Sequence, residues 1–294
     1  MVIQFWGVRG SIPTPSSADF VTSRYGGNTA CLSIRAPGLI VIIDGGSGLR
    51  SLGLELAREM PLEAVFFFSH LHWDHIQGFP FFIPGFVGGN RLRMYGPEFK
   101  SAAASGRALL EYALRTQQAD VNFPVQLSGM AAQMEFVSIK DGQSVVLQGT
   151  ENTLKVTASA LNHPGGCFGY RFEEEREGLT RTFVYATDTE HLDSLNPNLQ
   201  ALARNADYLF YDAQFTEEEY LGQNGVPHKG WGHSTWRHGI LEANGAGVKH
   251  LLLGHHDPWH DDWAVARIES AARQEGLRTG LAVSAVCEGM KLTL

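Results

Sequence analysis

The segment Ser69-His70-Leu71-His72-Trp73-Asp74-His75 constrains this chain more than any other. Three histidines and one aspartate fall within six positions, directly after the apolar run Ala64–Ser69 (AVFFFS). That run reads as a buried strand, so the motif sits at a strand's carboxyl end, where α/β proteins carry ligand-binding loops. In extended backbone residues i and i+2 point the same way, so His70 and His72 can face one metal ion. Asp74 and His75 fall where the chain turns and can face a second. Imidazole nitrogen with carboxylate oxygen suits zinc, with manganese or iron as alternatives. Three unrelated surface histidines would sit in a polar loop, and Trp73 with its apolar neighbours argues against one. All twelve histidines lie beyond residue 69.

Around the motif, strands alternate with helices. Val2–Val8 reads as a strand, and Leu39–Asp44 as a short apolar one closed by Gly45-Gly46-Ser47-Gly48. Leu49, Leu52, Leu56 and Met60 recur at helical spacing until Pro61 stops them. Further strands are predicted at Leu92–Tyr95, Ala132–Ile139, Leu154–Leu161, Phe168–Phe172, Thr182–Thr187, Tyr208–Tyr211 and Val248–Leu253. Helices are predicted at Pro97–Gln117, Asn198–Asn205, Thr235–Asn244 and Asp262–Gln274. Glu173–Glu177 (EEERE) reads as a solvated hairpin tip. The 294 residues show no repeat and no linker, so one α/β domain over 1–294 is expected, two sheets under outer helices.

Composition narrows the function classes. Apolar residues make up 44% and charged residues 18%, a globular balance. The net charge of −8 argues against a broad nucleic-acid-binding face. Cys31, Cys167 and Cys287 form no CxxC pair and no disulfide framework, which points to a reducing, cytoplasmic setting. Neither a signal peptide nor a membrane span is expected, because no basic leader and no run of 18 apolar residues is present.

Two metals need more ligands, and strand ends supply candidates. His163 follows Leu154–Leu161, Asp188 follows Thr182–Thr187, and His255 follows Val248–Leu253. His255 is preferred to His256 because it comes first after its strand. The order HxHxDH, a single His, the Asp of Ala186-Thr187-Asp188-Thr189 and a last His resembles the metallo-β-lactamase superfamily across residues 70 to 255. Gly232-His233-Ser234-Thr235, followed by a helix and Gly254-His255, resembles the HST motif and closing ligand of its phosphodiesterase branch. That branch includes cyclic-nucleotide phosphodiesterases and tRNA 3′-processing endonucleases. Gly7-Val8-Arg9-Gly10-Ser11 and Tyr25-Gly26-Gly27-Asn28-Thr29 resemble the amino-terminal segments of its smaller bacterial hydrolases. The resemblance implies an αββα sandwich with metals at one edge of the facing sheets. It implies His70, His72 and His163 on the first metal, Asp74, His75 and His255 on the second, and Asp188 bridging both. Asp74 is counted with His233 among the catalytic residues.

Two divalent ions about 3.5–4 Å apart can share a hydroxide made from water and neutralise a phosphoryl oxygen. No serine or cysteine nucleophile is then needed, and Ser69 reads as strand end. His233 precedes the helix at Thr235, with Ser234 as its N-cap. Its imidazole can contact a phosphate oxygen or protonate a departing alkoxide, or it is a surface residue. His228 and Trp231 are rim candidates, while His191, His238, His250 and His260 read as ordinary residues. The glycine segments can offer N–H groups to an anion or serve only as turns. Asp44 and Asp212 can orient a ligand histidine or simply pack, and Phe79–Phe86 can form a lid or core. The favoured reading is a phosphodiesterase of a small substrate, cyclic nucleotides foremost. A carboxylic-ester, thioester or lactone hydrolase would use the same metals. A tRNA processor is disfavoured by the acidic balance and the missing basic arm. Extensive nucleic-acid binding and membrane partners are not expected, and Pro97–Asp141 suits packing or a homodimer contact.

Overall fold

The computed structural model describes residues 1–98, 109–223 and 225–294. Two seven-stranded mixed sheets face each other under outer helices, the expected αββα sandwich. The first sheet contains β1 (Val2–Gly7), β2 (Cys31–Ala36), β3 (Leu39–Ile43), β4 (Glu63–Phe67), β5 (Arg91–Pro97), β6 (Gln133–Ile139) and β14 (Lys291–Thr293). Its order is β14-β1-β2-β3-β4-β5-β6. The second contains β7 (Ser144–Gln148), β8 (Thr153–Leu161), β9 (Cys167–Arg176), β10 (Leu179–Ala186), β11 (Tyr208–Asp212), β12 (His250–Gly254) and β13 (Ala282–Ala285). Its order is β13-β12-β11-β10-β9-β8-β7.

Alternation along the strands builds the core. Ile3, Phe5, Ile34, Val41, Ile43 and Phe67 of the first sheet meet Val156, Tyr170, Phe172, Phe183 and Leu252 of the second. The opposite faces pack under helices. α1 (Leu49–Leu56) and α3 (Leu109–Gln117) cover Ile42, Phe66 and Met94. α4 (Pro197–Ala203), α6 (Trp236–Ala246) and α7 (Asp262–Thr279) cover Val184, Leu209 and Leu251. Two short helices, α2 (Trp73–Ile76) and α5 (Glu217–Tyr220), lie in loops.

β3, β4, β5 and β6 run parallel, as do β10, β11, β12 and β13. Parallel order brings the carboxyl ends of β4, β10, β11 and β12 to one edge of the molecule.

Several predicted boundaries move. β4 ends at Phe67, because the Ser69 N–H leaves the ladder for the Asp44 carboxylate at 2.7 Å. α1 closes at Leu56 in a series of turns rather than reaching Met60. Pro97 closes β5 instead of opening a helix; of Pro97–Gln117, residues 109–117 are helical and 99–108 lie outside the described residues. Leu110 and Leu114 of α3 are buried against the first sheet. Glu173–Arg176 belong to β9, and only Glu177 and Gly178 form the hairpin tip. Glu174 is buried there, pairing with the Met1 amine and Asn152. Phe79 and Phe82 of the FPFFIPGF run pack on Phe66 as core, while Phe81 is exposed. Among the described residues, no helix is long and apolar enough to cross a membrane.

Candidate metal centre

Five loops at the shared edge bring the predicted residues together. The loop after β4 carries His70, His72, Asp74 and His75, with α2 turning the last two inward. His163 follows β8, Asp188 follows β10 and His255 follows β12. Asp212 ends β11, and the loop after it adds Gln214. Among the described residues four overlapping groups of potential ligand atoms result: His70, His72 and His163; Asp74, His75, Asp188 and His255; and two that share His233, one with His163 and Asp188 and one with Asp212 and His255. The first two are the predicted sets.

Asp188 faces both groups. Its Oδ1 lies 3.6 Å from His70 Nε2 and 4.0 Å from His163 Nε2. Its Oδ2 lies 3.2 Å from His75 Nε2 and 3.3 Å from His255 Nε2. Asp74 Oδ2 completes the second group at 3.4 Å from His75 Nε2 and 3.3 Å from His255 Nε2. His256 is not part of it; its Nε2 bonds the Val286 carbonyl at 2.9 Å on the far side of the loop.

The far nitrogens of the imidazoles are pinned. His75 Nδ1 meets Asp44 Oδ2 at 2.8 Å, His163 Nδ1 the Gly232 carbonyl at 2.8 Å, and His255 Nδ1 the Gln214 Oε1 at 2.9 Å. A proton held on Nδ1 leaves Nε2 as a bare lone pair. The inner nitrogens converge: His75 Nε2 is 3.4 Å from His255 Nε2, and buried His70 Nε2 has no hydrogen-bond partner. Such an approach needs a positive charge among them, a proton or a metal ion. The spacings of 3.2–3.4 Å in the second group match a tetrahedron's edge, about 3.3–3.4 Å for arms of about 2.0–2.1 Å. The donor set therefore fits divalent metal ions.

Electrostatics agree. Burial alone would lower His75, but Asp188, Asp74 and Asp44 overcome it and hold its pKa well above the usual value. Burial alone would raise Asp74 and Asp188, yet the neighbouring histidines hold both well below the carboxylate range. This group thus favours added positive charge, which a metal can supply in a proton's place. His70, His72 and His163 are lowered, chiefly by burial, and stay neutral as metal ligands must.

His233 lies beside both groups, its ring 5.4 Å from that of His163 and stacked 4.9 Å from that of His255. Its Nδ1 donates to Asp212 Oδ2 at 2.8 Å. Burial opposes its protonation, but Asp212 and then Asp188 and Asp74 raise its pKa to about 9. Thr235, rather than Ser234, caps α6; Ser234 Oγ is engaged by Tyr211 and His191.

The two aspartates left open by the sequence both act on the cluster. Asp44 orients His75 and also accepts from Ser69 and Tyr185. Asp212 orients His233. The glycine segments are turns. Gly45, Gly46 and Gly48 give their N–H groups to His75, Ala30 and Thr29 carbonyls, and Gly26 to Thr22. His228 stacks on Phe215 and meets Trp231 edge-on, at the rim. His250 and His260 pair with Ser284 and Glu219.

Two residues at the site escaped sequence reading. Gln214 fixes His255. Glu190 accepts from Gly230 N at 2.6 Å, Gly232 N at 3.0 Å and Tyr220 Oη at 2.8 Å, so it shapes the loop that holds His163 and His233. Only adjacency to the Asp188 and Asp212 strand ends hinted at them. Backbone strain also gathers here. Asp44, Asp188, His255 and Ser11 all hold left-handed φ of 47–64°, uncommon for residues other than glycine.

His191 stacks on His238 with ring centroids 3.4 Å apart. Burial and then His238 lower His191 to about 4. The unfolded chain takes up that proton near 6.5. Between these values it binds more protons than the folded chain, so stability falls as pH drops below about 6.5. In chelator-treated protein, His191→Gln should lose less of its melting temperature than wild type between pH 6.5 and 4.5. Parallel curves would reject the assignment.

The beta-lactamase superfamily domain model matches residues 40–256, and the chain belongs to this superfamily, in its metallo-β-lactamase form. These are hydrolases that use divalent metals. A ribonuclease Z of Lactiplantibacillus plantarum is 26% identical over 264 residues, covering 73% of this chain and 76% of its own. The metallo-β-lactamase fold protein YhfI of Bacillus subtilis shares the fold at TM-score 0.68 and 18% identity, covering 99% of this chain and 98% of its own. A diphosphatase of the PhnP family does so at TM-score 0.65 and 19% identity, covering 100% and 97%.

Proposed function

We propose that this chain, as one domain, is a dinuclear metal-dependent phosphodiesterase acting on a small substrate, with cyclic nucleotides favoured. The observation that carries this reading is Asp188, one oxygen toward each group of histidines. His70, His72 and His163 would hold one ion and Asp74, His75 and His255 the other, with Asp188 shared. Zinc suits the donors best, with manganese or iron as alternatives. When bound, such ions activate water and neutralise charge on a phosphoryl oxygen. The low carboxylate pKa of Asp74 favours a ligand role over that of a base.

The protein's own contribution is positioning and a proton. Asp212 holds the His233 ring in one orientation through Nδ1, which leaves Nε2–H as the group that would meet substrate. A poor leaving group such as a ribose oxygen needs a proton as it departs, and His233 is placed to give it. A thioester's thiolate leaves without such help, and the Gly232-His233-Ser234-Thr235 motif favours the phosphodiester over a carboxylic ester or lactone. Buried, unpaired Cys31 and Cys167 suit a cytoplasmic protein.

The ribonuclease Z relative supports a second reading, cleavage of a structured RNA. Purified protein should hydrolyse cyclic nucleotides and bis(4-nitrophenyl) phosphate, lose this with a chelator and regain it with Zn²⁺ or Mn²⁺. Turnover of thioesters without phosphodiesters would overturn the proposal. Tight, salt-sensitive tRNA binding with specific 3′ cleavage would establish the second reading instead.

A further inference from the structure

The segment Val8-Arg9-Gly10-Ser11 has no part in the chemistry above, yet it touches two of the proposed ligands. Arg9 is completely buried. Among the described residues no carboxylate pairs with it directly. Its Nε donates to the Gly26 carbonyl at 3.0 Å, and its Nη1 to the carbonyls of Asp257 at 2.7 Å and His260 at 2.5 Å. A buried charge held only by main-chain carbonyls is costly, so what it fixes matters. It ties the loop after His255 to the 26–29 segment and to its own strand end. His256 N–H meets the Val8 carbonyl at 3.0 Å and Gly10 N–H meets the His256 carbonyl at 3.0 Å.

Beyond Arg9 the chain reaches the cluster itself. Ser11, at φ 64°, donates its N–H to Asp74 Oδ2 at 2.8 Å, the same oxygen that faces His75 and His255. At Gly10 a Cβ would lie 2.4 Å from His255 Cε1 and 2.5 Å from its Nδ1. The His255 ring therefore packs into the space that the missing side chain leaves. Asp74 comes from a loop of the first sheet and His255 from the second. The 9–11 segment is thus a clasp across the two sheets, closed by Arg9.

We propose that Arg9, Gly10 and Ser11 preorganise the subsite of Asp74, His75, Asp188 and His255, with Arg9 as a positioning residue that sets metal affinity there and not at His70, His72 and His163. The inference rests on the dinuclear reading. Support around a metal ligand is worth about 10–100-fold in affinity when lost.

The test is equilibrium titration of chelator-stripped protein with Zn²⁺ against a competing chelator, together with the melting temperature of the stripped protein. Wild type should bind two equivalents. Arg9→Lys keeps the charge but cannot reach three carbonyls with a planar fork. It should weaken one equivalent about 10–100-fold and leave the other within about threefold. Gly10→Ala, which forces His255 aside, should weaken the same equivalent and carries the test if Arg9→Lys fails to fold. His163→Ala weakens the opposite equivalent and so identifies which one is lost. Equal weakening of both equivalents, or wild-type affinity in both Arg9→Lys and Gly10→Ala, would overturn the clasp. A single equivalent in wild type would overturn the dinuclear reading beneath it.

Discussion

Asp188→Ala should lose both metal equivalents' tight binding and about 10³-fold or more of any phosphodiesterase activity. Metal stabilisation of transition-state charge is worth several kcal/mol, and each 1.36 kcal/mol is a factor of ten. The effect should exceed that of any single histidine, because among the described residues Asp188 is the carboxylate whose two oxygens face the two groups. Asp188→Asn keeps the shape and one good acceptor but removes the charge that raises His75. It should retain one weakened equivalent. Elemental analysis of loaded protein, with rates on bis(4-nitrophenyl) phosphate, measures both. If Asp188→Ala keeps two metals and full activity, the bridging assignment is wrong.

The histidine and aspartate positions of the cluster were legible because their signal is chemical and local. HxHxDH fixes four side chains within one loop, and each remaining candidate follows an apolar strand that parallel order carries to the same edge. His255 could be told from His256 because the first residue past β12 meets the edge, while the second turns to Val286. The fold was legible where an apolar run or a clear alternation is long enough to read, as in β4 and β8. β2, β7, β13 and β14 escaped, since strands this short that include polar residues carry little periodicity. Acidic Glu173–Arg176 misled for the related reason that a charged strand with one buried glutamate looks solvated.

What sequence could not supply was the supporting layer. Glu190, Gln214 and the 9–11 segment act through carbonyls, carboxylates and N–H groups contributed by distant loops, while Asp44 and Asp212 were open candidates that only the closed fold could decide. No spacing rule links residue 11 to residue 74, or residue 9 to residues 257 and 260. These contacts exist only because two sheets close on each other. The left-handed backbone at Asp44, Asp188 and His255 shows the same dependence. Such conformations cost about 1–3 kcal/mol each and persist only where the surroundings enforce them.

His233→Ala should separate the roles this residue can play. It is outside the proposed ligand set, so the variant should keep both metals. If His233 protonates the departing oxygen, its worth depends on how badly that oxygen needs a proton. A ribose alkoxide is a strong base, and the variant should lose roughly 10²–10⁴-fold in rate on a cyclic nucleotide. A nitrophenolate departs readily unprotonated, so the loss on bis(4-nitrophenyl) phosphate should be much smaller. If His233 only holds a phosphate oxygen through its N–H, both substrates should suffer alike. Asp212→Asn adds a second arm, because it removes the carboxylate that orients His233 and raises its pKa. It should reproduce the leaving-group dependence in weaker form with metals retained. Equal losses on the two substrates would reject the proton-donor role while keeping His233 in the site. Loss of a metal equivalent in His233→Ala would make it a ligand, which its position near His163, Asp188 and His255 permits geometrically. Unchanged rates on both substrates would remove it from the reaction.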